Sequence, residues 1–266
     1  MEKIDYKSVV KNMGYSKRLS QNFLLNEEIA KSEAQYGRER DVLEIGPGLG
    51  VLTARLLKVA KSVTAVEKDA RMCEFLDSNI RSKKLKLINS DFLEVEKAAL
   101  GHIDIMISNI PYSISSKVVM WLSENDIPAV LCMQKEFVDR MLAPPGTREY
   151  SRLSVISSLQ FRLTKMFDVP PSNFYPEPDV ISTVVYIKPI GGGIKDGVRN
   201  VIGAIMSHKK KRVRNALVDC SKQIGIPKEI AIKAADSFGN PELRPFQMQP
   251  AMILDLAETL YLAQNP

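Results

Sequence analysis

Residues 41–58 place an apolar strand, a glycine-rich turn and a helix in direct succession. The strand is Asp41–Ile45, the turn is Gly46-Pro47-Gly48-Leu49-Gly50, and the helical stretch runs from Val51 to Lys58. A strand that passes through a glycine turn into a helix opens a nucleotide-binding β-α-β unit. The chain is therefore predicted to adopt an α/β fold with a ligand at the carboxyl ends of its parallel strands.

The spacing of the glycines separates two kinds of nucleotide site. A dinucleotide fingerprint needs Gly-x-Gly-x-x-Gly, and here Val51 stands where the third glycine belongs. Pro47 also removes a backbone N–H that a pyrophosphate would use. A glycine-rich loop alone is a weak signal, but this one favours an adenosine-bearing ligand that is not held by its phosphates.

An acidic residue follows each of the next two predicted strands. Glu67 ends the strand that begins at Ser62 and is placed to accept hydrogen bonds from both ribose hydroxyls of a nucleoside. Asp91 follows strand 85–88, where it can accept a hydrogen bond from an adenine amino group while Phe92 packs on the ring. One such acid is more often an exposed strand end, but two at successive strand ends favour a nucleoside.

Glu44 adds a third carboxylate to the same region. Together with Glu67 and Asp91 it predicts an acidic pocket. Such a pocket suits a cationic sulfonium cofactor better than an anionic dinucleotide.

The tetrapeptide Asn109-Ile110-Pro111-Tyr112 follows an apolar run at residues 103–107 that is typical of a buried parallel strand. Asn109 offers a carbonyl acceptor, Tyr112 offers a stacking face, and Pro111 fixes the turn between them. These groups suit a flat base that carries an amino group. The simpler alternative is a strand that ends in a proline turn with a half-buried tyrosine.

Two further segments bear on the site. Asn22, in Ser20-Gln21-Asn22-Phe23-Leu24, either caps a helix predicted to begin near Glu27 or reaches a ligand from a covering segment. The proline-dense segment 170–180 is stiff, so Phe174 and Tyr175 either form a second face of an aromatic clamp or pack beneath a loop. A polar loop at 144–152 is predicted to be mobile at the mouth of the site.

The run Lys188-Pro189-Ile190-Gly191-Gly192-Gly193 predicts a domain boundary. Residues 1–188 then form the α/β domain, and residues 189–266 form a second domain without strand signals. Further strands are predicted at 129–133 and 182–188, and helices at 115–123, 136–142, 153–160, 194–206, 210–224, 227–236 and 248–263.

Positive charge is concentrated in the second predicted domain. The formal net charge of the chain is +6, and residues 189–266 hold 11 Lys/Arg against 7 Asp/Glu. Five of the six residues from Lys209 to Arg214 are cations, a group that we call the basic cluster: Lys209, Lys210, Lys211, Arg212 and Arg214. A cluster of this kind at a helix start favours contact with nucleic-acid phosphates over a solvated surface, because like charge there opposes the helix dipole.

Composition excludes several classes of protein. A hydrophobic share of 45% and a charged share of 26% describe an ordinary soluble chain, with no predicted membrane span and no signal-peptide core. Cys73, Cys132 and Cys220 are odd in number and far apart, so neither a disulfide framework nor a metal site is predicted. His102 and His208 are likewise not assigned to a metal, and a reducing cytoplasm is the predicted location.

Taken together and in this order, the motifs resemble the ribosomal RNA adenine dimethyltransferases, most closely the KsgA type that acts on the small subunit. The resemblance covers nearly the whole chain and rests on the joint occurrence of five segments or acids. They are Ser20–Leu24, Glu44–Thr53, Glu67 with Asp91, Asn109–Ser116, and Phe174-Tyr175-Pro176-x-Pro178-x-Val180-x-Ser182. Ser113 departs from the asparagine that many relatives carry at this position, which puts no function in doubt.

The resemblance implies a Rossmann-like methyltransferase sheet, a small helical C-terminal domain that binds RNA, and S-adenosylmethionine as the cofactor. It implies dimethylation of N6 on two adjacent adenosines near the 3′ end of small-subunit rRNA, by a monomer that needs no metal or membrane. The target adenine would be held by Asn109 to Tyr112 and by Phe174. The implied cofactor site is Asn22, Leu24, Gly46, Gly48, Glu67, Asp91, Phe92 and Asn109.

Three alternatives stay open at this point. The erythromycin-resistance methylases of large-subunit rRNA share most of these motifs, and the basic cluster and helical domain are what favour the small subunit. Some relatives are RNA-binding assembly factors in which catalysis is secondary, but Glu67, Asp91 and Asn109 are all present here. A DNA adenine methyltransferase is a weaker rival, since nothing resembles a DNA target-recognition domain.

Overall fold

The computed structural model describes residues 5–16, 19, 21–237, 240 and 242–264. Ser20, the first residue of the N-terminal motif, lies outside the described residues. No helix within the described ranges is long and apolar enough to cross a lipid bilayer.

A seven-stranded sheet organises the first part of the chain. The strands of the sheet are β2 (Asp41–Ile45), β3 (Ser62–Glu67), β4 (Leu85–Asn89), β5 (Ile105–Asn109), β6 (Ala129–Gln134), β7 (Phe161–Val169) and β9 (Ser182–Pro189). They lie side by side in the order β4-β3-β2-β5-β6-β9-β7. The five strands from β4 to β6 in this order are parallel to their neighbours, and β9 runs antiparallel to β6. The predicted Rossmann-like α/β fold is therefore confirmed.

Helices connect the strands and make up most of the remaining chain. Asn26 caps α2 by accepting hydrogen bonds from the backbone N–H groups of Glu28 and Ile29, so the interpretation of Asn22 as this cap was wrong. The helices are α1 (Tyr6–Met13), α2 (Glu27–Ala34), α3 (Val51–Val59), α4 (Ala70–Asn79), α5 (Lys97–Leu100), α6 (Ser115–Asn125), α7 (Lys135–Leu142), α8 (Arg152–Gln160), α9 (Asp196–Ser207), α10 (Val213–Ser221), α11 (Lys228–Asp236) and α12 (Pro250–Gln264).

The middle of the sheet is covered on both faces. Every residue of β2 is buried, and so are the first four residues of β5. Strands covered on both faces read as continuous apolar runs, which is why both were visible in the sequence. Because parallel strands end at the same edge of a sheet, β2, β3 and β5 bring Gly46, Glu67 and Asn109 to one edge.

Two glycines of the turn after β2 cannot be replaced without strain. Gly48 has a φ of +53°, and a Cβ there would lie 2.7 Å from the ring of Phe23. Gly50 has a φ of +79°, and a Cβ there would lie 2.4 Å from the side chain of Ile80. The turn therefore requires glycine both for its left-handed backbone and for the close packing around it.

A small second sheet was not visible in the sequence. Strand β1 (Phe23–Leu24) pairs antiparallel with β8 (Phe174–Tyr175), so that Leu24 lies opposite Phe174. These strands are two residues long and about 150 residues apart in sequence, too short for any periodicity to reveal them. Their pairing joins the N-terminal motif to the proline-dense segment.

The chain forms two compact units. The first comprises residues 1–138 and 163–189, and the second comprises residues 139–162 and 190–266. The longer segment of the second unit begins at Ile190, within the run that predicted the boundary, and the unit also includes residues 139–162, which the sequence interpretation placed in the first domain. The core of the second unit is built from α8 to α12 and contains the buried side chain of Tyr150.

The loop at 144–152 is anchored within this second unit. The Tyr150 hydroxyl donates to the backbone carbonyl of Met248, and the backbone N–H of Gly146 donates to the carbonyl of Phe246. Both hydrogen bonds join the loop to residues 246–248 of its own unit, and the mobility of the loop stays a prediction.

Candidate active site at the carboxyl edge of the sheet

One cavity at the carboxyl edge of the sheet, which we call the central cavity, gathers all but one of the residues predicted to hold the cofactor or the target adenine. It is lined by the ends of β2, β3 and β5, by the turn after β4, and by the small second sheet. Leu24 is buried and lines a smaller neighbouring cavity instead, together with Glu44. The predicted residues that line the central cavity are Asn22, Gly46, Gly48, Glu67, Asp91, Phe92, Asn109, Ile110, Pro111, Tyr112 and Phe174.

Glu67 is a buried carboxylate whose orientation is fixed by backbone donors. Its Oε2 accepts from the N–H of Gly48 at 3.1 Å, and its Oε1 accepts from the N–H of Asp69 at 2.8 Å. Burial raises the pKa of this carboxyl, while the two backbone hydrogen bonds act in the opposite direction. Each oxygen has a further lone pair, so Glu67 can accept additional donors from the cavity.

Asp91 is paired in this structure. Its Oδ2 accepts from Lys68 Nζ at 2.6 Å, and its Oδ1 accepts from the backbone N–H of Leu93. The Lys68 ammonium is the main cause that holds the pKa of Asp91 below its usual value. The sequence did not indicate this pairing, and it makes the edge of the cavity less negative than three free carboxylates would.

Asn109 ends β5 and is held at one end of its amide. Its Nδ2 donates to Glu33 Oε2 on α2 at 3.2 Å, whereas its Oδ1 is buried without a hydrogen-bond partner among the described residues. A buried polar atom without a partner is uncommon in a folded protein. Asn109 thus lines the cavity and carries a buried acceptor that no described residue satisfies.

The three residues after Asn109 shape the wall of the cavity. Ile110 is buried, and Pro111 packs against the turn, so that a Cβ on Gly46 would lie 3.4 Å from its ring. The Tyr112 hydroxyl lies 2.6 Å from Ser182 Oγ on β9, and burial raises the pKa of Tyr112 to about 12. This contact fixes the orientation of the ring, and the hydroxyl stays protonated at neutral pH.

Phe174 is a buried core residue that also lines the central cavity. Its side chain is 4% exposed and belongs to the apolar core of the first unit, yet it also lines the central cavity. Tyr175 points to a different group of residues, where Lys7 Nζ lies 5.5 Å from the centre of its ring. Only Phe174 of the two therefore lines the central cavity.

Glu33 and Glu44 are buried acids that face one another. Burial raises the pKa of each to about 8, and the pKa of Glu44 is also raised by the nearby Glu33 and Glu67 carboxyls. Both groups are therefore mainly neutral at pH 7. The prediction that Glu44 adds negative charge to the pocket is wrong at this pH, because the acid carries a proton.

The free energy of unfolding is expected to depend on pH through these two acids. Their pKa values rise from 4.5 unfolded to about 8 folded, so the folded chain holds protons that the unfolded chain releases within this window. Stability should therefore fall as pH rises from about 5 to about 8, by up to about 1.4 kcal/mol per pH unit for each group. Glu33→Gln should flatten the slope measured by urea unfolding, whereas exposed Glu28→Gln on the same helix should not. Equal slopes in wild type and Glu33→Gln would contradict this.

The basic cluster lies in the turn between α9 and α10, with only Arg214 inside a helix. Lys209 Nζ donates to the backbone carbonyls of Arg148 and Tyr150, and burial lowers its pKa. Lys209 is thus used within the second unit. Lys210 is exposed, and the three remaining cations form exposed ion pairs: Lys211 with Asp219, Arg212 with Glu242, and Arg214 with Asp236.

Asp41, His102 and Asp104 form a polar cluster at the opposite end of the sheet. Three of their ligand-type atoms lie within 4.8 Å of one another, a proximity that the sequence interpretation of His102 did not foresee. The carboxylates are satisfied within the chain, because Asp41 accepts from Lys61 and Ser62 and Asp104 accepts from the N–H of Asp41. We interpret the cluster as a structural network.

Three polar residues near the cavity were missed by sequence reasoning. Lys68 and Gln21 line the central cavity, and Gln21 Nε2 donates to Asp69 at 2.9 Å. Glu33 lies behind the cavity and contacts Asn109. For Lys68, the only available signal was its position next to Glu67 in the sequence. No local signal marked Glu33, because its partner Asn109 is 76 residues away in sequence.

Comparison with known sequences gives a consistent family. A sequence model of the family described as "Ribosomal RNA adenine dimethylase" matches residues 13–233. A relative from Thermococcus gammatolerans, called a probable ribosomal RNA small subunit methyltransferase A, is 35% identical over 96% of this chain and 91% of its own. A relative of the same description from Methanococcus maripaludis is 37% identical over 94% of this chain and 99% of its own.

Solved structures agree with this result. A dimethyladenosine transferase from Plasmodium falciparum superposes with a TM-score of 0.74 at 27% identity, covering 88% of this chain and 95% of that one. The 23S rRNA methyltransferase ErmE, with a TM-score of 0.60 at 24% identity over 90% of this chain and 99% of that one, shares the fold. The resemblance inferred from the motifs is confirmed, and the chain belongs to the ribosomal RNA adenine dimethylase family.

Proposed function

We propose that this protein transfers methyl groups from S-adenosylmethionine to the N6 amino group of two adjacent adenosines near the 3′ end of small-subunit rRNA. The observation that carries the proposal is Asn109, which lines the central cavity and whose buried Oδ1 has no hydrogen-bond partner among the described residues. An acceptor of this kind is what an exocyclic amino group needs as a partner. The protein would act on rRNA or on an assembling small subunit, as a cytoplasmic monomer.

The residues of the central cavity fit the cofactor. Gly46 and Gly48 leave room for a ligand to approach the backbone, and the buried Glu67 carboxylate is fixed in place to accept the ribose hydroxyls. Asp91 and Phe92 would hold the adenine, and Asn22 and Leu24 would cover the ligand from the small sheet. When bound, the cofactor supplies an electrophilic methyl group on a sulfonium.

The chain's own residues would prepare the amino group for attack. The nitrogen is a weak nucleophile because its lone pair is delocalised into the adenine ring. Asn109 Oδ1 and the Ile110 carbonyl would accept its two hydrogens and draw it towards a tetrahedral geometry, with the lone pair directed at the methyl group. Neither a covalent intermediate nor a strong base is needed for this step.

Aromatic residues would offset the cost of removing the base from its RNA stack. Tyr112, fixed by Ser182, and Phe174, fixed by the pairing of β8 with β1, both line the cavity. Stacking on an aromatic side chain contributes roughly 1–3 kcal/mol per base. This is of the same order as the few kcal/mol needed to unstack a base.

The basic cluster is proposed to contact the RNA backbone. Exposed ion pairs contribute little, so Lys211 and Arg212 can exchange their acidic partners for phosphates at small cost. Lys209 would contribute less than predicted, since its ammonium is held by backbone carbonyls.

Replacing Lys210, Lys211 and Arg212 with Gln is expected to weaken RNA binding at moderate salt. Each lost phosphate contact lowers the slope of log affinity against log salt by about 0.7–0.9, so the slope should fall by about two to three. A matched control removes three exposed lysines of the first unit, Lys31, Lys83 and Lys165. If the slope of the cluster variant equals that of wild type, the cluster is a solvated surface and the RNA is held elsewhere.

A methyl-transfer assay separates this proposal from two of its alternatives. Protein and labelled S-adenosylmethionine are incubated with unmethylated small-subunit particles and, separately, with large-subunit rRNA. We expect label in the small-subunit RNA. Label confined to the large subunit would favour an activity of the erythromycin-resistance type, and RNA binding without label would favour an assembly factor.

A further inference from the structure

Glu33 lies outside the central cavity and yet touches the group that the proposed reaction depends on. It is 1% exposed, it sits in the last turn of α2, and its Oε2 accepts from Asn109 Nδ2 at 3.2 Å. An acid buried this deeply costs stability unless something compensates for it. Among the described residues, the Glu33 side chain is hydrogen-bonded to Asn109 through Oε2, whereas Oε1 has no partner.

The two ends of an asparagine side-chain amide are alike in size but differ in their hydrogen bonding. One end donates hydrogen bonds and the other accepts them, and rotation by 180° exchanges the two positions. The proposed reaction requires the accepting end at the cavity. A residue that binds the donating end therefore decides whether Asn109 is competent.

We infer that Glu33 is a positioning residue that binds the donating end of Asn109 and so presents Oδ1 to the amino group of the target base. This inference rests on the proposed function and extends it to a residue that does not line the cavity.

The ionised form of Glu33 favours the competent orientation. An ionised carboxylate only accepts hydrogen bonds, so it pairs with Nδ2 and repels Oδ1. The neutral acid also has an oxygen that accepts from Nδ2, as in this structure, although its O–H could donate to Oδ1 in the opposite orientation. Burial raises the pKa of Glu33 to about 8, so the neutral form predominates at pH 7 and the ionised form gains population as pH rises through 8. The ionisable groups that face it are Glu44 on β2 and Cys132 on β6.

The local structure leaves few substitutes for this contact. Glu33 packs with Ala30 and Ala34 on the buried face of α2, and neither alanine can accept a hydrogen bond from a side chain. Ser108 precedes Asn109 on β5, so its side chain points to the opposite face of the sheet, where its hydroxyl donates to the carbonyl of Ile45 at 2.5 Å. Without Glu33, the amide of Asn109 would therefore lose the side chain that binds its Nδ2.

The first test does not depend on activity. In the ligand-free protein, the side-chain amide of Asn109 gives a pair of ¹H–¹⁵N resonances, which can be assigned by their loss in Asn109→Asp. Glu33→Leu should shift this pair and speed its hydrogen exchange at least tenfold, while Glu28→Leu on the exposed face of α2 should leave it unchanged. An unaltered resonance pair in Glu33→Leu would overturn the inference.

The second test separates positioning from folding. Glu33→Leu should lower the single-turnover rate of methyl transfer by about 10- to 100-fold, the cost of misplacing a reacting group. Its cofactor Kd should stay at the wild-type value and its melting temperature should stay level or rise, because an apolar side chain replaces a buried acid. Glu33→Gln should recover part of the rate, since Gln can still accept from Nδ2.

Two outcomes of the second test contradict the inference. One is a wild-type rate in Glu33→Leu, and the other is an equal loss in Glu33→Leu and Glu33→Gln, since an accepting oxygen would then be irrelevant. If the wild-type protein transfers no methyl to rRNA, the proposed function fails, but the amide resonances still decide the contact between Glu33 and Asn109.

Discussion

Asn109→Ala is expected to bind cofactor and RNA normally and to transfer methyl at least roughly a hundredfold more slowly. Loss of one positioned polar group at a reacting centre has a cost of about this size. Here the lost group is a buried side-chain acceptor that has no hydrogen-bond partner among the described residues. The measurement is a single-turnover rate at saturating cofactor and RNA, combined with calorimetric affinities for the cofactor.

A suitable control is Asn79→Ala, which removes another asparagine from the same unit. The Asn79 amide donates only to the carbonyl of Phe75 within its own exposed helix turn. Its rate should equal that of wild type. A near-normal rate in Asn109→Ala would rule out the acceptor role of this residue and with it the proposed chemistry.

Glu67→Ala is expected to weaken cofactor binding by about 1.5–3 kcal/mol, the range for hydrogen bonds to a charged group. This corresponds to a rise in Kd of roughly 10- to 150-fold. The substitution removes the acceptor for the ribose and also frees the N–H groups of Gly48 and Asp69, which organise the turn around the ligand. Isothermal titration with S-adenosylmethionine measures the effect.

Glu74→Ala, which removes an exposed acid from α4, provides a matched control. It should leave the Kd within about twofold of wild type, as is usual for surface substitutions within about 0.5 kcal/mol. Wild-type affinity in Glu67→Ala would remove Glu67 from the cofactor site, even if the variant were inactive for another reason.

The strands that carry the site were predictable because each is a short continuous apolar run. Strand β2 was predicted with the bounds that the structure shows, and β3 and β4 each extend one residue further. The parallel sheet then requires their carboxyl ends to meet, so Gly46, Glu67 and Asn109 follow from local patterns plus one rule of topology. No long-range information was needed.

Contacts between distant segments were not predictable in the same way. The pairing of Leu24 with Phe174, and the hydrogen bond from Asn109 to Glu33, each join residues whose local sequence is unremarkable. The ion pair of Lys68 with Asp91 depends on the register of β3 against β4. Such contacts are set by how finished elements pack, which a single sequence does not express as a pattern.

For the basic cluster, the sequence showed the cations but not the acidic residues that pair with them. Charge density predicted a helix start rich in cations, but α10 begins only at Val213, and Lys211, Arg212 and Arg214 have acidic partners. Composition records the cations and not their neighbours. The role of the cluster in binding RNA therefore depends on whether these exposed pairs open when phosphate is present.

Nucleoside mass spectrometry tests the proposed dimethylation directly, on small-subunit rRNA from particles treated with the protein and S-adenosylmethionine. Digestion and mapping should find N6,N6-dimethyladenosine at two adjacent positions near the 3′ end, and Asn109→Ala should abolish the signal under the same conditions. If the treated RNA contains no dimethyladenosine, or if the modification appears only in large-subunit rRNA, the account is contradicted.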